Sequence, residues 1–222
     1  MKMDTRKLST LAMMCALAFI LAAFVRVPVV TMPGLNLRYD PKDVIIVIAG
    51  FIYGPLAAFM VTVVVALTQW FSGVSLTAHW GFIMNVSGSA AFCCTAALIY
   101  KKYRTMKGAI LGLVVGGIFA TAVMMLLNIF VVPLFMERVT REAVIALLIP
   151  AFLPFNVISN AVNIAFTVLL YKHVKTVLQA SRMMPQSEEG TTKRGVSMAV
   201  LISAVFVLLA CGIWVLILQG FL

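Results

Sequence analysis

Residues 108–132 read GAILGLVVGGIFATAVMMLLNIFVV, 25 positions without one Asp, Glu, Lys or Arg. A helix crossing the roughly 30 Å hydrocarbon layer of a bilayer needs about 20 such residues, each rising about 1.5 Å. A helix lying on a water-soluble core would need a polar face, and this stretch has none, so it reads as a membrane span. The rest of the chain agrees. Of 222 residues, 63% are apolar and 11% are charged, against about 45–50% and about 25% in an ordinary soluble domain. The mean hydropathy is +1.10. Disordered, collagen-like and disulfide-stapled secreted proteins are excluded by the same balance.

Working outward from that stretch, further spans are expected at Leu8–Val25, Val44–Tyr53, Leu56–Phe71, Trp80–Tyr100, Val144–Tyr171 and Val196–Leu218. The Val44–Tyr53 run is too short to cross alone and ends at Gly54-Pro55, so it reads either as a helix extended N-terminally through Asp40 or as a partial helix lining a polar cavity. Val27–Asp43 carries Pro28, Pro33, Gly34, Asn36 and Pro41 and is expected to be a structured loop. A membrane unit over 1–175, a polar linker over 176–195 and an additional C-terminal span within 196–222 complete the organisation. The basic start followed by an apolar run resembles a signal peptide, but the run is longer than the usual signal core, and it is read as the first span.

The net charge of +10 does not form one basic face. Lys and Arg sit between the apolar segments, as membrane orientation requires, and nucleic acid is not an expected partner. With the N-terminus in the cytoplasm, twelve of the seventeen fall inside: Lys2, Arg6, Lys7, Lys101, Lys102, Arg104, Lys107, Lys172, Lys175, Arg182, Lys193 and Arg194. Arg26, Arg38, Lys42, Arg138 and Arg141 fall outside. A multi-pass protein of a prokaryotic plasma membrane, in contact with lipid, is the expectation.

No phosphate-cradling G-x-x-x-x-G-K-[ST], no H-E-x-x-H and no G-x-S-x-G occurs, so no catalytic residue is assigned. Cys15, Cys93, Cys94 and Cys211 lie in apolar runs without metal spacing, and His79 and His173 sit at span ends; no metal or cofactor is expected. Asp40, Asp43, Glu137 and Glu142 fall in or beside external loops, which leaves no buried proton relay.

Neutral amides remain. Asn85, Asn128, Asn156, Asn160 and Asn163 stand in apolar spans, where each must face a neighbouring helix or a cavity to find partners. Singly, each reads most simply as an interhelical hydrogen bond. Asn128 and Asn156, near Pro133 and Pro154, are expected to wall one outward-facing pocket with Phe130, Phe135, Phe152 and Phe155. Amides and rings together suit a flat heterocycle, with stacked faces and hydrogen-bonded edges. On the first span, Ala12, Ala16, Ala18 and Ala22 have small-xxx-small spacing, which fits either packing within the bundle or close approach of a partner helix.

Three segments carry a resemblance. Leu37-Arg38-Tyr39-Asp40-Pro41-Lys42-Asp43-Val44 followed by Gly50-Phe51-Ile52-Tyr53-Gly54-Pro55 resembles the L-x-x-D-x-x-D signature with its F-x-x-G-P in the S components of energy-coupling factor (ECF) transporters. Leu127-Asn128-Ile129-Phe130 with Pro133-Leu134-Phe135, and Pro154-Phe155-Asn156-Val157-Ile158, resemble segments of the riboflavin-specific members. The resemblance covers about Lys7 to Lys175. It implies an all-α membrane protein, a six-helix S-component bundle, here with the additional C-terminal transmembrane helix.

By the same resemblance, the chain binds a vitamin with high affinity, riboflavin first, as part of an ABC-type importer, with a transmembrane coupling protein and two separate ATPase subunits as partners. Asn128, Asn156, Ser159, Asn85, Phe155, Leu37 and Asp40 are then the substrate-binding candidates. Residues 27–43 would gate the pocket, and Ala12, Ala16, Ala18 and Ala22 would dock on the coupling protein. Some riboflavin-specific members carry Lys or Gln where this chain has Ser159. Another heterocyclic vitamin (folate, pantothenate or a thiamin precursor) and a stand-alone secondary carrier are the alternatives.

Overall fold

The computed structural model describes residues 5–32, 35–73, 78–135 and 139–180, together with Val205, Phe206, Leu208, Leu209, Cys211 and Ile213. Helix α1 (Thr5–Phe24) leads into an antiparallel hairpin of β1 (Val27–Met32) and β2 (Leu35–Tyr39). Then follow α2 (Lys42–Tyr53), α3 (Pro55–Phe71), α4 (Ala78–Tyr103), α5 (Met106–Phe135) and α6 (Arg141–Leu147). A π-helical turn over Leu148–Phe152 joins α6 to α7 (Leu153–Ala180).

The first six expected spans fall on these helices, with ends shifted by up to nine residues. Among the described residues, four helical stretches are long and apolar enough to cross a bilayer alone: Thr5–Phe24, His79–Tyr103, Met106–Leu134 and Arg141–Leu170. Helix α3, with 17 residues, is shorter. Two features depart from the all-α expectation. Residues 27–39 form a two-stranded sheet, in which β-branched Val27, Val30 and Thr31 pair across to Tyr39, Leu37 and Asn36. A bulge between Pro28 and Val30 absorbs the proline, which cannot donate to a ladder. The sixth span is interrupted by the π turn, which contains Pro150 and is followed at once by Pro154. Neither proline has an N–H to donate, so the regular i to i−4 ladder cannot run through this stretch. Of the expected linker 176–195, residues 176–180 continue α7 and residues 181–195 lie outside the described residues. So does the seventh span apart from the six residues named above, of which Cys211 packs on a small apolar cluster of Val29, Val30, Tyr39, Ala151 and Ile158.

Away from the hairpin, the bundle is held together by small residues. A Cβ on Gly50 of α2 would lie 2.9 Å from the Cβ atoms of both Ala58 (α3) and Ala97 (α4). On α5, Cβ atoms at Gly112 and Gly116 would each come within 2.7 Å of an α4 carbonyl oxygen, those of Ala96 and Phe92. Backbones that approach so closely gain dispersion contacts along their length, the main source of helix association in lipid. Gly54, at φ +95°, makes the reversal between α2 and α3, with Pro55 starting α3 where its missing N–H costs nothing. At this end Lys7 lies over the Tyr53 ring, and the exposed Lys101, Lys102 and Arg104 close α4.

Candidate binding cavity beneath the hairpin

At the opposite end, a cavity of about 160 Å³ opens between the hairpin, α2, α4, α5 and α7. Residues Arg38, Tyr39 and Asp40 border it from the hairpin side, and Lys42 and Asp43 from the start of α2. Met84, Asn85, Gly88 and Ser89 line it from α4, and Ala120 and Met124 from α5. Helix α7 contributes Phe155, Asn156, Ser159, Asn160 and Asn163, a stripe at i, i+4 and i+7 whose side chains share one helical face.

Each amide is held by a second group. Asn156 Nδ2 donates to the Phe152 carbonyl at 2.8 Å, the last residue of the π turn. Asn160 Nδ2 donates to the Gly117 carbonyl at 3.2 Å and to Thr121 Oγ1 at 3.0 Å, both on α5. Asn85 Nδ2 donates to Oε1 of the buried Gln69 on α3. Tyr39 Oη donates to Asn163 Oδ1 at 2.7 Å, tying the end of β2 to α7. Burial, and then the negative charges of Asp43 and Asp40, push the Tyr39 hydroxyl well above the usual tyrosine range, so it stays a donor at neutral pH. A second tie fixes the hairpin's exit. Lys42 Nζ reaches Asp40 Oδ1 at 2.7 Å and Asp43 Oδ1 at 4.0 Å, and Ser89 Oγ donates to Asp43 Oδ1 at 2.6 Å. One hydroxyl is left over: Ser159 Oγ is buried, lines the cavity and has no partner among the described residues.

The residues singled out from sequence divide. Asn85, Asn156, Ser159, Phe155 and Asp40 line the cavity together. Asn128 and Leu37 are not among its lining residues. Asn128 is buried one helical turn beyond Met124 on the same face of α5, and Leu37 packs into the apolar clusters beside the hairpin. Of the expected rings only Phe155 lines the cavity. Phe130 is exposed beneath the Arg141 guanidinium, Phe152 is in an apolar cluster, and the Phe135 side chain lies outside what is described. The alanines of α1 also divide: Ala12 and Ala16 are exposed, whereas Ala18 and Ala22 are fully buried against the chain's own helices. Tyr39, Ser89, Asn160, Asn163 and Gln69 were not singled out for the site. The 156–160–163 spacing was the signal that groups two of them, Asn160 and Asn163, with Asn156. Among the described residues no cluster of His, Cys, Asp or Glu has the arrangement of a metal site.

The described residues form a mostly helical membrane bundle with a β-hairpin at one end over a cavity lined by carboxamides. The sequence profile described as "ECF transporter, substrate-specific component" matches residues 6–171. The chain therefore belongs to the substrate-specific (S) components of ECF transporters, a family of transport proteins that associate with an ECF module. Among its relatives, it is 31% identical over 181 residues to a protein of Staphylococcus aureus (strain TCH60) named riboflavin transporter RibU, covering 79% of this chain and 94% of that one. To riboflavin transporter FmnP of Bacillus subtilis (strain 168) it is 28% identical over 193 residues, covering 81% and 97%. The structure of the S component of a bacterial ECF transporter superposes with a TM-score of 0.66 at 31% identity, covering 80% of this chain and 99% of that chain.

Proposed function

We propose that this S component captures riboflavin at the outer face of the membrane and delivers it inward as part of an ECF-type importer. The observation that carries the reading is the carboxamide cavity under the hairpin, in a chain whose relatives are named riboflavin transporters. Riboflavin combines a flat ring, whose edge alternates donors and acceptors, with a polyhydroxyl tail. Asn156, Asn85, Ser159 and Phe155 supply amide edges, a free hydroxyl and a ring face to meet it. Met84 and Met124, whose flexible side chains line the cavity, can adapt to the shape of the ligand.

The positive-inside distribution supports a cytoplasmic N-terminus, which sets the hairpin outside. A transmembrane coupling protein and two ATPases would supply the energy, and the exposed Ala12 and Ala16 on α1 leave room for another helix to approach. Riboflavin titrated against the purified protein should lose fluorescence in a saturable way at sub-micromolar concentration. Unchanged flavin emission at micromolar ligand, with binding of another vitamin in a parallel panel, would reject riboflavin in favour of that vitamin. Uptake into liposomes holding this protein alone would instead show a self-sufficient carrier.

A further inference from the structure

The amide of Asn160 is fixed by groups on another helix in a way that leaves only one of its atoms for a ligand. Its two N–H bonds point to the Gly117 carbonyl and to Thr121 Oγ1. Thr121 Oγ1 in turn donates to the same Gly117 carbonyl at 2.8 Å, closing a three-membered network on α5. A backbone carbonyl only accepts, so the Asn160 nitrogen must be the atom facing α5 and the oxygen must be the atom facing away. That oxygen has no partner among the described residues, and Asn160 lines the cavity. One position earlier stands Ser159 Oγ, buried and unpartnered in the same cavity. Gly117 lies close against this residue: a Cβ there would sit 3.4 Å from the Asn160 Cβ, in ordinary van der Waals contact.

We infer that Asn160 is a specificity-determining residue that offers the ligand an acceptor and no donor, and that Thr121 is the positioning residue that holds it so. The inference rests on the riboflavin reading and deepens it. A ligand must bring an N–H or O–H to this oxygen, and a ligand with a carbonyl there leaves two acceptors facing each other without a proton. Riboflavin has two sources of such a donor: its single ring N–H, and the hydroxyls of its ribityl tail.

The experiment measures flavin-fluorescence affinities of the full chain for riboflavin, N3-methylriboflavin (ring N–H blocked) and lumiflavin (tail absent). Asn160→Ala should weaken riboflavin about five- to fiftyfold. It should also reduce the wild-type preference for riboflavin over one of the two analogues, and which one identifies the donor. Thr121→Val should weaken riboflavin about three- to tenfold, Thr121→Ser should restore it to within about twofold, and Thr121→Val should add nothing in the Asn160→Ala background. Melting of the ligand-free variants in detergent reports on folding separately. Losses equal for all three flavins, or a Thr121→Val protein that binds like wild type, overturn the inference while the riboflavin reading stands. A folded wild-type protein that ignores riboflavin takes down both.

Discussion

The two ends of the bundle solve the problem of holding helices together in lipid by opposite means. At the basic end, α2, α3, α4 and α5 meet through Gly50, Ala58, Ala97, Gly112 and Gly116, with backbones in near contact and Cys94 Sγ donating to the Pro55 carbonyl between α4 and α3. At the hairpin end the same helices part, and the space is bordered by amides and hydroxyls that bridge α3 to α4, α5 to α7 and β2 to α7. Close packing leaves no void to fill, whereas a polar bridge between separated helices leaves one that a ligand can enter. The difference teaches which substitutions should damage the fold and which should damage binding alone.

The comparison is broken most completely at Gly50. A valine there places methyl groups into Ala58 and Ala97, where even a Cβ is at 2.9 Å, so Gly50→Val should cost about 1–3 kcal/mol or more of stability. Melting in detergent checks this, and the loss should appear with or without ligand. Next in size, Asn156→Ala should weaken riboflavin by about 1–3 kcal/mol while leaving the ligand-free melting temperature nearly unchanged. A wild-type affinity in a fluorescence titration would remove Asn156 from the site. Tyr39→Phe deletes only the tie to Asn163 and should cost about 0.5–1.5 kcal/mol of affinity, read in stopped-flow as faster dissociation rather than slower capture. The smallest effect belongs to Ala16→Leu on the exposed face of α1. Equilibrium binding should stay within about 0.5 kcal/mol of wild type, while uptake by cells carrying the whole transporter should fall.

The spans were legible because a bilayer imposes length and apolarity on every crossing segment, and both can be counted along the chain. The hairpin was less so. Pro28, Pro33 and Gly34 break helices and spoke for a loop, and the β-branched Val27, Val29, Val30 and Thr31 were the weaker sign that the loop is paired. The site was half legible. An asparagine in an apolar span announces that it has a partner, but not on which side. Asn128 and Asn160 look alike in sequence, and only the packing of α5 against α7 shows that one lines the cavity and the other does not. Tyr39 and Gln69 act across more than one element, and no local pattern marks such a reach.

The connection between α4 and α5 has a consequence for assembly. Only Arg104, at φ +44°, and Thr105 separate two long apolar helices that match along their lengths. Such a pair can enter the bilayer as one unit during synthesis, requiring contacts only between neighbours in the chain. Helix α7 emerges later, and its row of asparagines meets Gly117 and Thr121 already in place. Its polar face is thereby inserted after α5, when its acceptors exist and exposure of bare amides to lipid is brief.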